Sequence, residues 1–235
     1  RLRELEAAAR ALGEEGADSR PEYSAWLRLL VDPGSSLGGA RPKASFVETD
    51  GSLWLAKFPA AEDRRDVGAW EFLAHELGRA AGVDLPEARL ARFGRRHHTF
   101  CAKRFDRVGA SRRMYASAMT LLQRSDGEPA SYLEIAEALQ REGDAAGLEP
   151  NLHQLYRRIA FSILVGNRDD HLRNHGFLRG PTGWRLAPAF DVNPAPDRDE
   201  HALAIDEADR RADLATLRAT APLYRLTASK AAKIE

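Results

Sequence analysis

The sequence predicts an α+β protein of two lobes, a small β-rich half followed by a helical half. Three observations predict it. Short runs with strand-like alternation fall before residue 106, helical spacing dominates from Met114 onward, and a loop dense in Asp, Asn and His follows directly on one helical pattern. The divisions expected are a helical N-terminal segment over 1–33, a β-rich lobe over 34–105 and a helical lobe over 106–235.

The elements follow in order. Leu2 to Leu12 is rich in Ala, Glu and Leu, which favour helix, and Gly13 and Gly16 end it. Pro21 to Leu30 reads as a second short helix, with Pro in the first turn where its missing N–H does no harm. Asp32 to Lys43 carries the Gly and Pro content of a loop. The strand-like runs Ala44 to Glu48 and Ser52 to Phe58 meet at Asp50-Gly51, a strong hairpin signal. Over Asp66 to Ala81, residues Val67, Trp70, Ala74, Leu77 and Ala81 recur at helical spacing, and Gly82 lies just past the end. Glu87 to Arg92 and Thr99 to Phe105 complete the strands of this half. Helices are then predicted over Tyr115 to Arg124, Ser131 to Arg141 and Leu152 to Leu164. Two short strands, Gly176 to Leu178 and Trp184 to Leu186, flank a Gly-Pro turn, and the charged, Ala-rich tail from Asp206 predicts helix.

Composition narrows the class. Hydrophobic content of 43% and charged content of 30% over 235 residues are those of a soluble globular protein. The 35 basic and 35 acidic residues balance, so no direct nucleic-acid binding is expected. Arg greatly outnumbers Lys, which makes Lys43, Lys57 and Lys103 stand out. A single cysteine, Cys101, excludes an internal disulfide and a cysteine zinc cluster, and suits a reducing compartment. No apolar run is long enough to span a bilayer and no signal pattern opens the chain. A cytoplasmic protein without membrane contact is the expectation.

The chemistry concentrates in Val165-Gly-Asn-Arg-Asp-Asp-His-Leu-Arg-Asn174 and in Pro188-Ala-Phe-Asp191. Phosphoryl transfer to a hydroxyl needs one carboxylate to orient the nucleophile, and an amide with a further carboxylate to hold magnesium. Asp169, Asn174 and Asp191 have that make-up, and D-x-x-x-x-N with an acid downstream is the spacing of a protein-kinase catalytic loop and its metal-binding segment. On the strand Leu55-Ala-Lys57, alternation puts Leu53, Leu55 and Lys57 on one face and Trp54, Ala56 and Phe58 on the other. Lys57 then ends an apolar face, able to meet phosphates, with Glu71 of the next helix as its partner. The segment from Gly34 to Lys43 precedes that hairpin, where glycines let backbone N–H groups approach phosphate oxygens. Thr99 to Arg107 is expected to offer backbone to an adenine edge, with Phe105 packing beside it. A competing reading makes His171 and His175, at i and i+4, ligands of a catalytic metal with Asp169 or Asp191. Gly166, Asn167 and Gly176 argue against the continuous helix this needs, and no Glu stands between the histidines as a base. His97 and His98, in an Arg-rich turn, are expected to be solvated.

Together these segments resemble the HipA family of bacterial Ser/Thr kinases, the toxin component of toxin–antitoxin pairs. The resemblance runs from about Gly34 to Ile205 and rests on Ser36-Leu-Gly-Gly-Ala-Arg-Pro-Lys43, Leu55-Ala-Lys-Phe-Pro59, Lys103-Arg-Phe-Asp-Arg107, Asp169-Asp-His-Leu-Arg-Asn174 and Pro188-Ala-Phe-Asp191. It implies a bilobal protein-kinase-like fold and an ATP- and Mg2+-dependent kinase acting on a protein Ser or Thr, such as one in a translation component. It further implies Asp169 as catalytic base, Asn174 and Asp191 as magnesium ligands, and Lys57 on the ATP phosphates. Gly38, Gly39, Ala40 and Lys43 would cover the nucleotide; Lys103, Arg104 and Phe105 would line the adenine pocket; His171 and Arg173 would approach ATP. Ser36, with Ser35, falls where the family is regulated by autophosphorylation, which would repel the ATP phosphates.

Some residues depart from the family pattern. The loop reads Ala-Arg-Pro-Lys where many relatives carry Ala-Gln-x-Lys, Asp170 replaces a common Gly, Arg173 a common Lys and Lys103 a frequent Glu. None removes the base or a metal ligand. The stretch before Gly34 has no room for the antitoxin-contacting subdomain of long members, and the helical lobe reads as short. Two other functions keep the motifs: a small-molecule kinase of the same fold, and a co-repressor module acting through a helix-turn-helix antitoxin that supplies the DNA contact.

Overall fold

The computed structural model describes residues 2–31, 41–94, 96–109 and 111–235. The expected Gly-rich loop, with Ser35, Ser36, Gly38, Gly39 and Ala40, lies outside the described residues. The chain divides into two compact units, one of residues 1–73 with 86–110 and one of 74–85 with 111–235.

In the first unit, helix α1 (Leu2–Leu12) buries Leu5, Ala8 and Ala9, which helical spacing puts on one stripe. Leu5 and Ala9 pack with Ala44, Phe46, Trp54, Ala56, Phe58 and Cys101. Helix α2 is Tyr23–Val31. The sheet has strands β1 (Lys43–Val47), β2 (Leu53–Lys57), β3 (Ala88–Ala91) and β4 (Thr99–Lys103), in the spatial order β1-β2-β4-β3 with antiparallel neighbours throughout. Its core face carries Ala44, Phe46, Trp54, Ala56 and Cys101, and alternation turns Lys43, Ser45, Leu55, Lys57 and Phe100 to the opposite face. The β1–β2 turn forms at Asp50-Gly51, where Gly51 takes φ 81° and Asp50 Oδ1 accepts the Ser52 N–H at 2.9 Å.

Helix α3 (Val67–Ala80) starts after Asp66, which accepts the Ala69 N–H at 3.1 Å. Gly68 lets its first turn approach β4, since a Cβ there would stand 2.3 Å from the His98 carbonyl oxygen. The β3–β4 turn departs from its expected solvation. His98 Nδ1 lies 2.5 Å from Asp66 Oδ2 and His97 Nε2 lies 3.1 Å from the Asp63 carbonyl oxygen, so both imidazoles are half-buried and fasten the turn to the start of α3. Burial alone would raise the Asp66 carboxyl; bonds from the His98 backbone and ring and from Ala69 outweigh it and hold it low.

The two-residue strand β5 (Arg107–Val108) closes the first unit, and the second unit, after the two-residue strand β6 (Ser111–Arg112), is built on α5 (Tyr132–Glu142) and α6 (Leu148–Val165) with a three-stranded antiparallel sheet of β7 (Tyr115–Ser117), β8 (Gly176–Arg179) and β9 (Trp184–Leu186). Its core joins Tyr132, Ile135, Leu139, Leu152, Leu155, Tyr156, Ile159, Phe177, Ile205, Leu217 and Tyr224. Ser131 caps α5, accepting the Glu134 N–H while Glu134 accepts the Ser131 N–H. Helix α6 begins four residues before the expected Leu152, because Pro150 fits its first turn, where no N–H is needed.

Two expectations are corrected. Tyr115 to Arg124 is not one helix: residues 115–117 pair with β8, and only α4 (Ala118–Leu121) follows, capped by Ser117. Partner-strand hydrogen bonds outweigh the local preference there. The tail is not helical from Asp206. Asp206 and Asp209 hold residues 206–211 in turns by accepting nearby backbone N–H groups, and helices α7 (Leu214–Thr220) and α8 (Ala228–Ile234) come later. Among the described residues no helix is long and apolar enough to cross a membrane.

Candidate functional site

The expected site residues fall into two groups, one in each unit. In the first unit the sheet face turned away from the core brings three of them together. Lys57 Nζ lies 2.5 Å from Glu71 Oε1, with side chains 13% and 3% exposed, which ties β2 to α3. The same ammonium stands 5.8 Å from the centre of the Phe100 ring. Lys43 is the cross-strand partner of Lys57.

The Lys103–Phe105 segment is engaged differently from the expectation. The Lys103 N–H donates to the Glu87 carbonyl at 2.8 Å and the Arg104 N–H to the Leu53 carbonyl at 2.9 Å, so neither is left for an adenine edge. The Lys103 ammonium lies 3.5 Å from Glu87 at the surface. Arg104 is locked by two 2.8 Å bonds to Asp106 and one of 3.3 Å to Ser45. Burial raises the Asp106 carboxyl, but the bonds and charges of Arg104 and Arg107 outweigh it and keep the group ionised.

In the second unit, α6 delivers the loop. Gly166 takes φ 71° just past the helix; its N–H reaches the Ile163 carbonyl and the Asn167 N–H reaches that of Ser162 at 2.9 Å, a double closure that stops the helix sharply. Asp169 then points outward, its side chain 52% exposed and paired with Arg198 at 2.7 Å. Asn174 is buried; its Nδ2 donates to the Asp169 carbonyl at 3.3 Å, so the amide oxygen is the atom that would hold a metal ion. Asp191 sits in the left-handed region at φ 58° and accepts from Asn193 Nδ2 at 3.4 Å. Asn174 and the neighbours of Asp191, Phe190 and Val192, line one cavity of about 10 Å³ with Arg158, Asp170 and His175. An amide oxygen and a carboxylate are the hard donors magnesium prefers, so these residues fit that ion as a pair completed by phosphates and water. Arg173 lies at the surface, 2.7 Å from Asp126, and His171 is half-buried at the start of a 3-10 turn.

The two-histidine metal reading fails here. His171 and His175 bracket that 3-10 turn, and His175 is buried against the Tyr132 ring, 5.6 Å between centroids. Among the described residues no group of three or more His, Cys, Asp or Glu is placed to hold a metal ion.

Sequence reasoning missed the buried polar set behind the loop. Asp170 accepts from Tyr132 Oη at 2.9 Å and from Ser162 Oγ at 3.4 Å, and His175 Nε2 stands 3.1 Å from it. Burial would raise the Asp170 carboxyl; the His175 charge and bond, then the Tyr132 hydroxyl, outweigh it and hold it low. Arg158 is also buried, its Nη2 donating to the Ala187 carbonyl at 2.6 Å. Burial pulls its pKa down to about 10, against the pull of Asp84 and Asp170. Asp170 sits inside a recognised motif, but only the fold pairs it with Tyr132, thirty-eight positions earlier.

Comparison with known proteins decides the family. The model of the HipA-like C-terminal domain matches residues 35–234. The chain belongs to the HipA-like C-terminal domain family. Among curated relatives, a protein described as a kinase candidate from Haemophilus influenzae is 27% identical over 205 residues, 76% of this chain and 59% of that protein. The kinase candidate Y4dM of Sinorhizobium fredii is 28% identical over 163 residues, 62% of this chain and 38% of that protein. The chain thus spans well under two thirds of the length of these relatives. The Shewanella oneidensis HipA structure, from a complex of HipA, HipB and operator DNA, superposes with a TM-score of 0.67 at 20% identity, covering 86% of this chain and 55% of that one. The Helicobacter pylori proinflammatory kinase CtkA superposes with a TM-score of 0.59 at 17% identity, covering 87% and 83%. Identities this low establish the fold alone, the mixed α+β fold of these kinase structures.

Proposed function

We propose that this HipA-like protein is an ATP- and magnesium-dependent kinase that phosphorylates a protein Ser or Thr hydroxyl. The observation that carries the reading is the Lys57–Glu71 ion pair with Lys43 opposite in register: a positioned, partly desolvated cation on the sheet face turned away from the core. In this reading Glu71 orients Lys57 toward the ATP phosphates, and Lys43 adds charge. The Gly38–Ala40 stretch covers the nucleotide, and Phe105 contributes to the adenine pocket. Asp169 orients the acceptor hydroxyl and takes its proton as the oxygen attacks the terminal phosphorus and ADP leaves. Asn174 and Asp191 are the residues that would hold magnesium, which when bound neutralises charge on the phosphate oxygens. His171 and Arg173 contact the donor, and Ser36, with Ser35 beside it, is the autophosphorylation site.

The acceptor is proposed to lie on a translation component. A helix-turn-helix antitoxin is the proposed partner, by analogy with the neighbour solved with HipB and operator DNA. Mass measurement before and after exposure to ATP and magnesium tests the activity, with one added phosphate expected in the Gly34–Lys43 segment. Asp169→Asn is expected to lower phosphate transfer by at least about a hundredfold while ATP still binds. Undiminished transfer in that variant removes Asp169 from the mechanism.

A further inference from the structure

Asp169, the acid assigned to the acceptor hydroxyl, has no buried anchor of its own among the described residues. Among the described residues its side chain, half exposed, pairs with Arg198, which is equally exposed. An exposed ion pair of this kind does little to fix a carboxylate. Its aim therefore depends on the backbone that carries it, and the backbone is gripped one residue later. The Asp170 carboxylate is buried and meets three elements of the second unit: Tyr132 from the first turn of α5, Ser162 from the last turn of α6, and His175 at the entry to β8. Each of these is fixed in turn. Tyr132 is fully buried and its N–H donates to the Ala204 carbonyl at 3.0 Å; the His175 carbonyl accepts the Ala118 N–H at 2.7 Å.

We propose that Asp170 is the positioning residue of this loop: its carboxylate, held by Tyr132, Ser162 and His175, sets the backbone on which Asp169 and Asn174 are presented. The effect reaches Asn174 through the Asp169 carbonyl that accepts its amide, and through the Asn174 N–H, which donates to the His171 carbonyl at 2.8 Å. A purely structural role explains the arrangement less well. An ionised carboxylate in a core carries a desolvation penalty that apolar side chains of similar volume avoid, so stability alone does not call for it. What it adds is direction, because two hydroxyl donors and an imidazole at ion-pair distance, from three elements, leave the loop one position. The link to turnover rests on the kinase reading above; the link to loop order does not.

The test uses Asp170→Asn, which keeps size and removes charge, and Tyr132→Phe, which removes one hydroxyl and serves if the first variant does not fold. Amide hydrogen exchange is followed by mass spectrometry in the full chain. Exchange at Asn167 and Asn174 is expected to accelerate at least about tenfold while that at Ile159 in α6 stays unchanged. With ATP and magnesium, the rate at which each folded molecule adds phosphate to its own Gly34–Lys43 segment is expected to fall at least about tenfold and the ATP KM to change less than about twofold. Tyr132→Phe should move both readouts the same way by less. Unchanged loop exchange in both variants overturns the proposal. So does a loss of turnover matched by an equal loss of folded protein. If the unsubstituted protein transfers no phosphate, the kinase reading fails instead, and the exchange measurement alone judges Asp170.

Discussion

Replacing Lys57 by Met probes the ion pair through both stability and ligand binding. Met keeps the apolar stem and deletes the charge, leaving the almost fully buried Glu71 without its lysine. Removing one partner of a buried pair costs about 3–5 kcal/mol. One feature reduces this: Lys57 keeps some solvent access. A net loss of about 2–4 kcal/mol remains, a fall in melting temperature of about 4–16 °C at this chain length. With ATP and magnesium at a hundred times the dissociation constant, the unsubstituted protein should gain about 2.7 kcal/mol, or about 5–11 °C. A charge-assisted contact contributes about 1.5–3 kcal/mol, so Lys57→Met weakens ATP binding roughly ten- to a hundredfold. At the same ATP concentration the gain then shrinks to about 0.4–1.4 kcal/mol. Thermal unfolding followed by circular dichroism, with and without nucleotide, reads both quantities. A nucleotide shift in Lys57→Met as large as in the unsubstituted protein would refute the placement of phosphates over this lysine.

Three further expectations follow from local geometry. Gly68→Ala forces a Cβ against the His98 carbonyl and should cost about 1–3 kcal/mol in urea unfolding; a neutral result would mean that α3 can slide on β4. His201 has its pKa lowered, by burial first and by Arg168, against the pull of Asp170, so the unfolded chain takes up that proton first as pH falls. Stability should therefore decline as pH drops from about 6.5 toward the lower folded value, a slope that His201→Gln should flatten in urea midpoints measured between pH 7 and 5. Asp191→Gly and Asp191→Ala delete the same carboxylate, yet the glycine variant should be the more stable by about 0.5–1 kcal/mol, because only glycine accepts φ 58° without strain; equal stabilities would show that the conformation relaxes.

Much of the fold was legible because its signals are local. The Asp50-Gly51 turn, the alternation along β2 and the period along α3 each determine structure within a few residues, and β9 begins and ends where the strand pattern does. Errors occur where distant partners decide. Residues 115–117 favour helix by themselves, but β8 supplies them a strand to pair with. His97 and His98 looked solvated because the carboxylate and carbonyl that hold them lie more than thirty residues earlier. The candidate site divides in the same way. Lys57 and Glu71 were paired from strand alternation and the helix that follows, since fourteen residues of chain contain the whole interaction. The Lys103–Phe105 segment was placed on the correct strand end, but which N–H groups the sheet uses depends on register with Glu87 and Leu53, which composition does not encode.

The adjacent acids Asp169 and Asp170 show how one loop separates two demands. Backbone direction turns the first outward, where it stays half exposed, and the second inward to two hydroxyl donors and the His175 ring. The downstream acid, Asp191, shows a related division. Its left-handed conformation is unfavourable for a residue with a side chain, and the chain is pinned on either side of it. The Ala189 N–H donates to the Asp84 carbonyl at 2.7 Å and the Ala195 N–H to the Gly166 carbonyl at 2.8 Å. The second of these bonds ties the Asp191 segment to the residue that ends α6 and starts the Asp169 loop. Strain at one acid and a buried charge at another thus meet through Gly166, and both oppose stability taken alone. Apolar packing would answer the needs of the core, and glycine would answer those of residue 191. That neither is used locates the part of the second unit where placement of oxygen atoms outweighs stability, and it is the part that carries Asp169, Asn174 and Asp191.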